Sequence, residues 1–130
     1  MIKLIEAYIS ESRTEQRVIR NNLLILLLHM LKCKYQNEYT HKSSWRKSIY
    51  NAFDAIVGEF KGIGKGSLYN SYYRRKLDLN QIYRTARINA IEETGKLESD
   101  FPVECEWTKE QLTDINFIDA FINTWGKDSI

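Results

Sequence analysis

The sequence predicts an all-α fold, a helical bundle of three to five helices built around one long central helix. Apolar residues recur at spacings of three and four along most of the chain, which is the period of an amphipathic helix. Strand signals are weak, because no stretch alternates strictly between apolar and polar residues and no Asn-Gly or Asp-Gly pair marks a hairpin turn. A chain of 130 residues is long enough for one core, so we expect a single domain over residues 1–130.

The first predicted helix runs from about Ile2 to about Gln36, and a bend near residues 10–14 is left open. Its apolar side chains form two stripes at helical spacing and also fill the faces between them: Leu4, Ile5, Tyr8 and Ile9; Ile19, Leu23, Leu27, Met30 and Leu31; Leu24, Ile25 and Leu28. A helix that is apolar nearly all round is normally covered on several sides. We therefore expect this helix to lie at the centre of the bundle.

Two further helices follow. The second is expected to begin at Ser43 or Ser44, either of which can accept a backbone N–H as an N-cap, and to end at the glycines that start at Gly58. The third is predicted from about Ser67 to Thr94. Gly95 then closes it in the left-handed conformation that favours glycine after a helix.

The C-terminal part of the chain predicts an ordered loop followed by two short helices. Phe101-Pro102 and the Cys-Glu-Trp-Thr stretch at residues 105–108 form the loop. Thr108 and Gln111 have the spacing of a capping box, which opens a helix. An apolar cluster between Ile115 and Trp125 then predicts a last helix that docks onto the bundle.

Charge is distributed unevenly along the chain. Residues 1–96 hold 17 Lys and Arg against 9 Asp and Glu, whereas residues 97–130 hold 2 against 8. Opposite charge on two parts of a small chain lets them pack on each other, or on a second copy, and we prefer this interpretation to a polyanion partner.

Cysteine content and hydropathy indicate a cytoplasmic protein with no membrane association. Cys33 and Cys105 are too few for a disulfide scaffold. Cys33 lacks an adjacent base and Cys105 has acidic neighbours that would raise its pKa, so neither is expected to act as a nucleophile. The strongest apolar run, Leu23 to Leu28, is far shorter than the roughly 20 residues that span a bilayer. No export signal is recognised at the N-terminus, so we expect the cytoplasm.

Several short stretches carry a family resemblance through their order and spacing. They are Leu27 to Lys32, Tyr35-Gln36, Ser44 to Arg46, Ala90, Glu93 to Gly95, Phe101-Pro102 and Cys105 to Gln111. Together they resemble the landmarks of domain-of-unknown-function family 29, over most of the chain from about Leu4 to Phe117. The resemblance implies a compact helical bundle of a kind widespread in bacteria, cyanobacteria above all, and it brings no assigned activity.

The resemblance also suggests that this chain is an N-terminally short member. Family members usually carry a further helical segment ahead of the stretch that matches Leu4 to Glu6. If that segment normally shields the first helix, another element or another protein chain is expected to cover it here, which favours a homo-oligomer or a protein partner.

The candidate functional residues are His29, Trp45, Arg46, Glu92 and Glu93. A histidine in a leucine-rich helix can act as a base or metal ligand, but no second histidine lies three or four residues away, so a hydrogen-bonded core histidine is the preferred interpretation. Glu93 is expected to pair with Arg46 or Arg87 and to fix the turn before Gly95. No metal site is predicted.

The glycine-rich loop at residues 62–67 lacks the spacing of a phosphate-binding loop, and no cofactor is predicted. A mixed aromatic and basic segment could contact single-stranded nucleic acid through base stacking and phosphate neutralisation. Its residues are Tyr69, Tyr73, Arg74, Arg75 and Lys76. A packed aromatic stripe with solvated basic residues on the other face is the favoured alternative.

The sequence thus favours a non-catalytic interaction module that self-associates or binds a protein partner. The first alternative is an accessory or inhibitor protein of the mobile-element type that associates with nucleic acid. The second is an enzyme that uses His29 with Glu92 or Glu93.

Overall fold

The structure, a computed structural model, describes the backbone of residues 2–36, 41–60 and 72–128, and the side chains of these ranges except residues 2–15, 72 and 74. These residues form five α-helices: α1 Ile2–Tyr35, α2 Ser43–Glu59, α3 Leu79–Thr94, α4 Lys109–Leu112 and α5 Ile115–Trp125. A π-helical turn at Tyr72–Lys76 and a 3-10 turn at Glu98–Asp100 complete the regular structure. No strand occurs in these ranges, and the predicted all-α bundle is confirmed.

Helix α1 is the centre of the bundle, as its composition predicts. It packs against both α2 and α3. Seven of its described hydrophobic side chains have no exposed surface: Ile19, Leu23, Leu26, Leu27, Met30, Leu31 and Cys33. Lys32 lies beside Glu93, and Arg20 lines a groove with Gln81, so α3 runs parallel to α1. Among the described side chains of this helix, Ile25 is the exposed large apolar residue, because 40% of its surface is exposed.

The predicted N-cap of α2 is wrong. Ser43 and Ser44 are both exposed and lie inside the helix, and the capping position belongs to Lys42, whose side chain makes no capping hydrogen bond. The physical reason is that the Lys42 side chain is directed into the interior, where only 1% of its surface stays exposed. The helix itself begins at Ser43, as predicted, although neither serine is its N-cap.

The third helix is shorter than predicted. Ser67 lies outside the described residues, and the described part is interrupted at Leu77 and Asp78. The Asp78 side chain accepts a hydrogen bond from the Gln81 backbone N–H at 3.2 Å and caps α3. Aspartate competes for backbone groups inside a helix and is stabilising at an N-cap, so a helix start at Asp78 is preferred to a continuous helix. At its other end, Gly95 has a φ of 70° and closes α3, as predicted.

The C-terminal elements agree with the sequence. The Thr108 hydroxyl accepts from the Gln111 N–H at 3.1 Å, and the Gln111 side chain accepts from the Thr108 N–H at 2.9 Å, which is the predicted capping box. The loop before it is held to α3, because the Tyr83 hydroxyl donates to the Pro102 carbonyl at 2.6 Å. Helix α5 buries Ile118, Phe121 and Ile122 in the core.

Among the described residues, no helix combines the length and the apolar character that crossing a bilayer requires.

Candidate functional site

Several candidate residues meet around Lys32 near the end of α1. The Lys32 ammonium nitrogen lies 3.3 Å from a carboxylate oxygen of Glu93 and 5.9 Å from the centre of the Trp45 ring. The side chain of Lys32 is 12% exposed and that of Glu93 is 50% exposed. Helices α2 and α3 are thus tied to α1 through one cation, and we call these three residues the Lys32 cluster.

The predicted pairing of Glu93 with Arg46 or Arg87 is wrong. Because α3 runs parallel to α1, Glu93 lies beside Lys32 instead. The Arg87 guanidinium donates to the carbonyls of Glu98 at 2.7 Å and Phe101 at 3.3 Å, so it fixes the loop rather than the carboxylate.

His29 lies one turn before Lys32 and bonds within its own helix. Its Nδ1 atom is 2.7 Å from the Ile25 carbonyl oxygen, which can only accept, so Nδ1 carries the hydrogen and Nε2 holds a lone pair in the neutral ring. Burial is the main reason why the pKa of His29 is lowered, and the charge of Lys32 lowers it further. The hydrogen bond to the Ile25 carbonyl and the charge of Glu93 partly oppose this shift. Of the two glutamates considered with it, Glu92 is exposed and Glu93 is paired with Lys32.

The lowered pKa of His29 predicts a pH-dependent stability. The unfolded chain binds a proton at His29 at a higher pH than the folded chain does, so the free energy of unfolding should fall as pH drops below 6.5, the ordinary pKa of histidine. Urea unfolding between neutral and mildly acidic pH measures this slope, which should become flatter in His29→Gln. His41→Gln keeps His29 and should keep its contribution; an equal change of slope in both variants would contradict the assignment.

The role of Lys42 was not predicted from the sequence. Its ammonium group donates to the carbonyl of Cys33 at 2.9 Å and to that of Trp125 at 2.9 Å. Both carbonyls belong to the last turn of a helix, α1 and α5 respectively, where the helix dipole favours a cation. Lysine is rarely buried unless it is paired, and composition alone does not reveal this case, because Lys42 follows a polar loop.

Arg46 and Asp128 fasten the same end of α5. Arg46 donates to the Gly126 carbonyl at 2.6 Å, and Asp128 accepts from the Lys42 backbone N–H at 2.7 Å. That hydrogen bond is the main reason why the pKa of Asp128 lies below its ordinary value. Arg46, a candidate functional residue from the sequence, therefore holds the C-terminal segment in place.

An aromatic cleft opens beside this end of the bundle and has a volume of about 390 Å³. Its lining residues are Lys34, Glu106, Trp107, Phe117, Ala120, Phe121, Thr124 and Trp125. The rings of Trp107 and Phe121 meet edge to face with 5.7 Å between their centres. We refer to this feature as the aromatic cleft. The sequence predicted the loop and the helix that form it, but not the cleft.

The polar groups of the cleft form a connected set. The two carboxylate oxygens of Glu106 accept from the Lys34 ammonium at 2.6 Å and from the Tyr35 hydroxyl at 2.8 Å. The Lys34 nitrogen also lies 5.4 Å from the centre of the Trp125 ring. The Lys34–Glu106 and Arg46–Asp128 pairs join the basic and acidic parts of the chain, so these parts do pack on each other.

The residues predicted to contact nucleic acid differ in their exposure. Tyr73 is only 5% exposed, packs edge to face on Phe60 and donates its hydroxyl to the Lys109 carbonyl at 2.8 Å, so its ring cannot stack on a base. Arg75 and Lys76 are exposed. Tyr69 lies outside the described residues, as does the side chain of Arg74.

Neither cysteine has the environment of a nucleophile. Both are free thiols, and burial raises the pKa of Cys33 to about 11 and also raises that of Cys105. Among the described residues, no group of three or more His, Cys, Asp or Glu side chains is arranged to hold a metal ion.

Comparison with known proteins gives a match at the level of the family. The family model described as "Domain of unknown function DUF29" matches residues 1–118. No curated protein and no solved structure shows significant similarity to the chain. The stretches that carried the resemblance also contact one another in the fold, as Lys32 contacts Glu93 and Tyr35 contacts Glu106. Because the match covers most of its length, the chain belongs to the DUF29 family.

Proposed function

We infer that the chain is a non-catalytic, cytoplasmic protein-interaction module that binds a partner protein through the outer side of α3. The free state of Cys33 and Cys105 supports a reducing compartment. The observation that carries the proposal is the exposure of three large apolar side chains on α3 and on the loop that follows it.

Three of the exposed large hydrophobic side chains belong to this surface. Ile88 is 54% exposed, Leu97 is 70% exposed and Val103 is 74% exposed. Val103 and Arg84 line one groove, and Arg84 precedes Ile88 by one helical turn. The hydrogen bond from Arg87 to the Glu98 carbonyl holds the segment of Leu97 against the same helix. We call Ile88, Leu97 and Val103 the α3 outer surface.

Charge around this surface indicates the chemistry of its partner. Besides Glu93 and Glu106, which pair with lysines, four carboxylates of α3 and the loop are exposed: Glu92, Glu98, Asp100 and Glu104. Arg84 is the exposed basic residue among them. A second copy that met this surface face to face would bring like charges together, which is unfavourable. A segment with apolar side chains flanked by lysine or arginine complements both features.

A designed peptide tests this proposal. We expect a helical peptide of leucine and lysine to bind the full chain, with a Kd that rises with salt, and the same pattern of leucine and glutamate to bind far more weakly. Backbone NMR shifts report the site. Val103→Asp should weaken binding at least tenfold, whereas Ile115→Asp, at a 43% exposed residue outside this surface, should not.

Equal binding of the two peptides, or equal effects of the two variants, would contradict the proposal. Light scattering and oligonucleotide binding distinguish the remaining interpretations. A dimer that Val103→Asp dissociates would assign the surface to a second copy. Salt-sensitive binding of a single-stranded oligonucleotide that is lost when Arg75 and Lys76 are replaced would support the nucleic-acid alternative.

A further inference from the structure

The aromatic cleft is a second feature with the properties of a binding site, and it does not depend on the α3 outer surface. Its volume of about 390 Å³ lies within the range of about 300–1,000 Å³ that is common for small-ligand sites. Four aromatic rings line it, those of Trp107, Phe117, Phe121 and Trp125. Lys34, Glu106 and Thr124 add polar groups to the lining. An aromatic lining favours a ligand with an aromatic ring, because aromatic rings gain from edge-to-face and offset contacts with one another.

The charges in the cleft disfavour an ionic ligand. Lys34 and Glu106 are paired at 2.6 Å, and their side chains are 26% and 27% exposed. A ligand anion that approached Lys34 would also meet the Glu106 carboxylate, and a ligand cation that approached Glu106 would also meet the Lys34 ammonium. Neither sign of charge gains from the pair, so the ligand that fits is neutral.

Hydrogen-bonding capacity specifies the polar group of the ligand. Among the described residues, Oε1 of Glu106 accepts a hydrogen bond from Lys34 and Oε2 accepts one from Tyr35. A carboxylate oxygen has two lone pairs, so each can accept a second bond. A ligand O–H or N–H could donate to a second lone pair of Glu106, whereas a ligand that can only accept hydrogen bonds could not.

We propose that the aromatic cleft binds a neutral aromatic ring that carries one hydrogen-bond donor, a phenol or an indole, with the ring among the four aromatic side chains and the donor at Glu106. The same chemistry is presented by a free small molecule and by a tyrosine or tryptophan side chain of a peptide. The experiment below separates these two sources.

The test is an NMR titration of the full chain with p-cresol. We expect saturable shifts at residues of the loop and of α5 that line the cleft, with an affinity in the millimolar range. p-Toluate, which is an anion, and p-methylanisole, which has no donor, should bind at least fivefold more weakly. N-acetyl-tyrosinamide should match p-cresol if the source is a peptide side chain and should fail to bind if the cleft accepts only a free phenol.

A second test uses variants that fill the cleft with a larger side chain, together with a matched control variant outside the cleft. Ala120 is exposed on α5 and lines the cleft, so Ala120→Phe should reduce p-cresol affinity at least tenfold, whereas Asn123→Phe, exposed on the same helix but not lining the cleft, should leave it unchanged. Thr124→Phe repeats the test from a second lining residue. Absence of p-cresol binding, equal binding of p-toluate, or unchanged affinity in both cleft-filling variants would overturn the proposal, whatever the outcome for the α3 outer surface.

Discussion

Replacing Lys42 with methionine should lower the free energy of unfolding by about 2–4 kcal/mol. Methionine keeps much of the apolar stem but removes the ammonium group that donates to the carbonyls of Cys33 and Trp125. Each buried carbonyl that loses a donor costs about 1–3 kcal/mol. Because these carbonyls end two helices, their partial negative charges would also face each other without the cation between them.

Urea unfolding followed by circular dichroism measures the loss. Lys47→Met is the matched control, since Lys47 is exposed on α2 and should change stability by no more than about 0.5 kcal/mol. Hydrogen exchange adds a local measurement: amides of α5 should lose protection before those of α1, because Lys42 joins the two helix ends. A Lys42→Met protein as stable as Lys47→Met would show that the gain from removing a buried charge offsets the lost hydrogen bonds.

The contrast between Lys42 and the C-terminal elements shows what the sequence could predict. The Thr108–Gln111 capping box and the glycine at 95 were predicted correctly because their partners lie within a few residues of one another. The ammonium of Lys42 has partners 9 and 83 residues away along the chain. No local pattern encodes such distances, so this contact became visible only with the fold.

The candidate sites show the same contrast between contacts that are local in sequence and contacts that depend on the fold. The sequence identified Trp45 and Glu93 as residues of interest, but it could not predict that Lys32 joins them, because that contact depends on the parallel direction of α3. The interruption at Asp78 was missed because the apolar period continues through it, while the capping preference of aspartate determines the start of α3. The aromatic cleft likewise forms between the 105–108 loop and α5, whose relative placement is a tertiary property.

The second large effect on stability is expected for a substitution in α1, because this helix lies at the centre of the bundle. Leu26 and Ile25 are neighbours of similar size in one helix, yet Leu26 has no exposed surface and Ile25 is 40% exposed. Leu26→Ala should lower the free energy of unfolding by about 2–5 kcal/mol, because it removes buried methyl groups and leaves a cavity that the packed helices cannot close completely. Ile25→Ala should cost about 1 kcal/mol or less, since much of that side chain already contacts water.

Urea unfolding of the two variants at low protein concentration measures this difference without a contribution from association. Similar losses at Leu26 and Ile25 would mean that the exposed side of α1 is covered in solution, as the hydrophobic composition of this helix led us to consider. A loss at Ile25→Ala that grows with protein concentration would place Ile25 in an interface between copies. A large loss of stability in Leu26→Ala alone would instead mean that α2, α3 and the C-terminal segment suffice to cover residues 16–35 of α1.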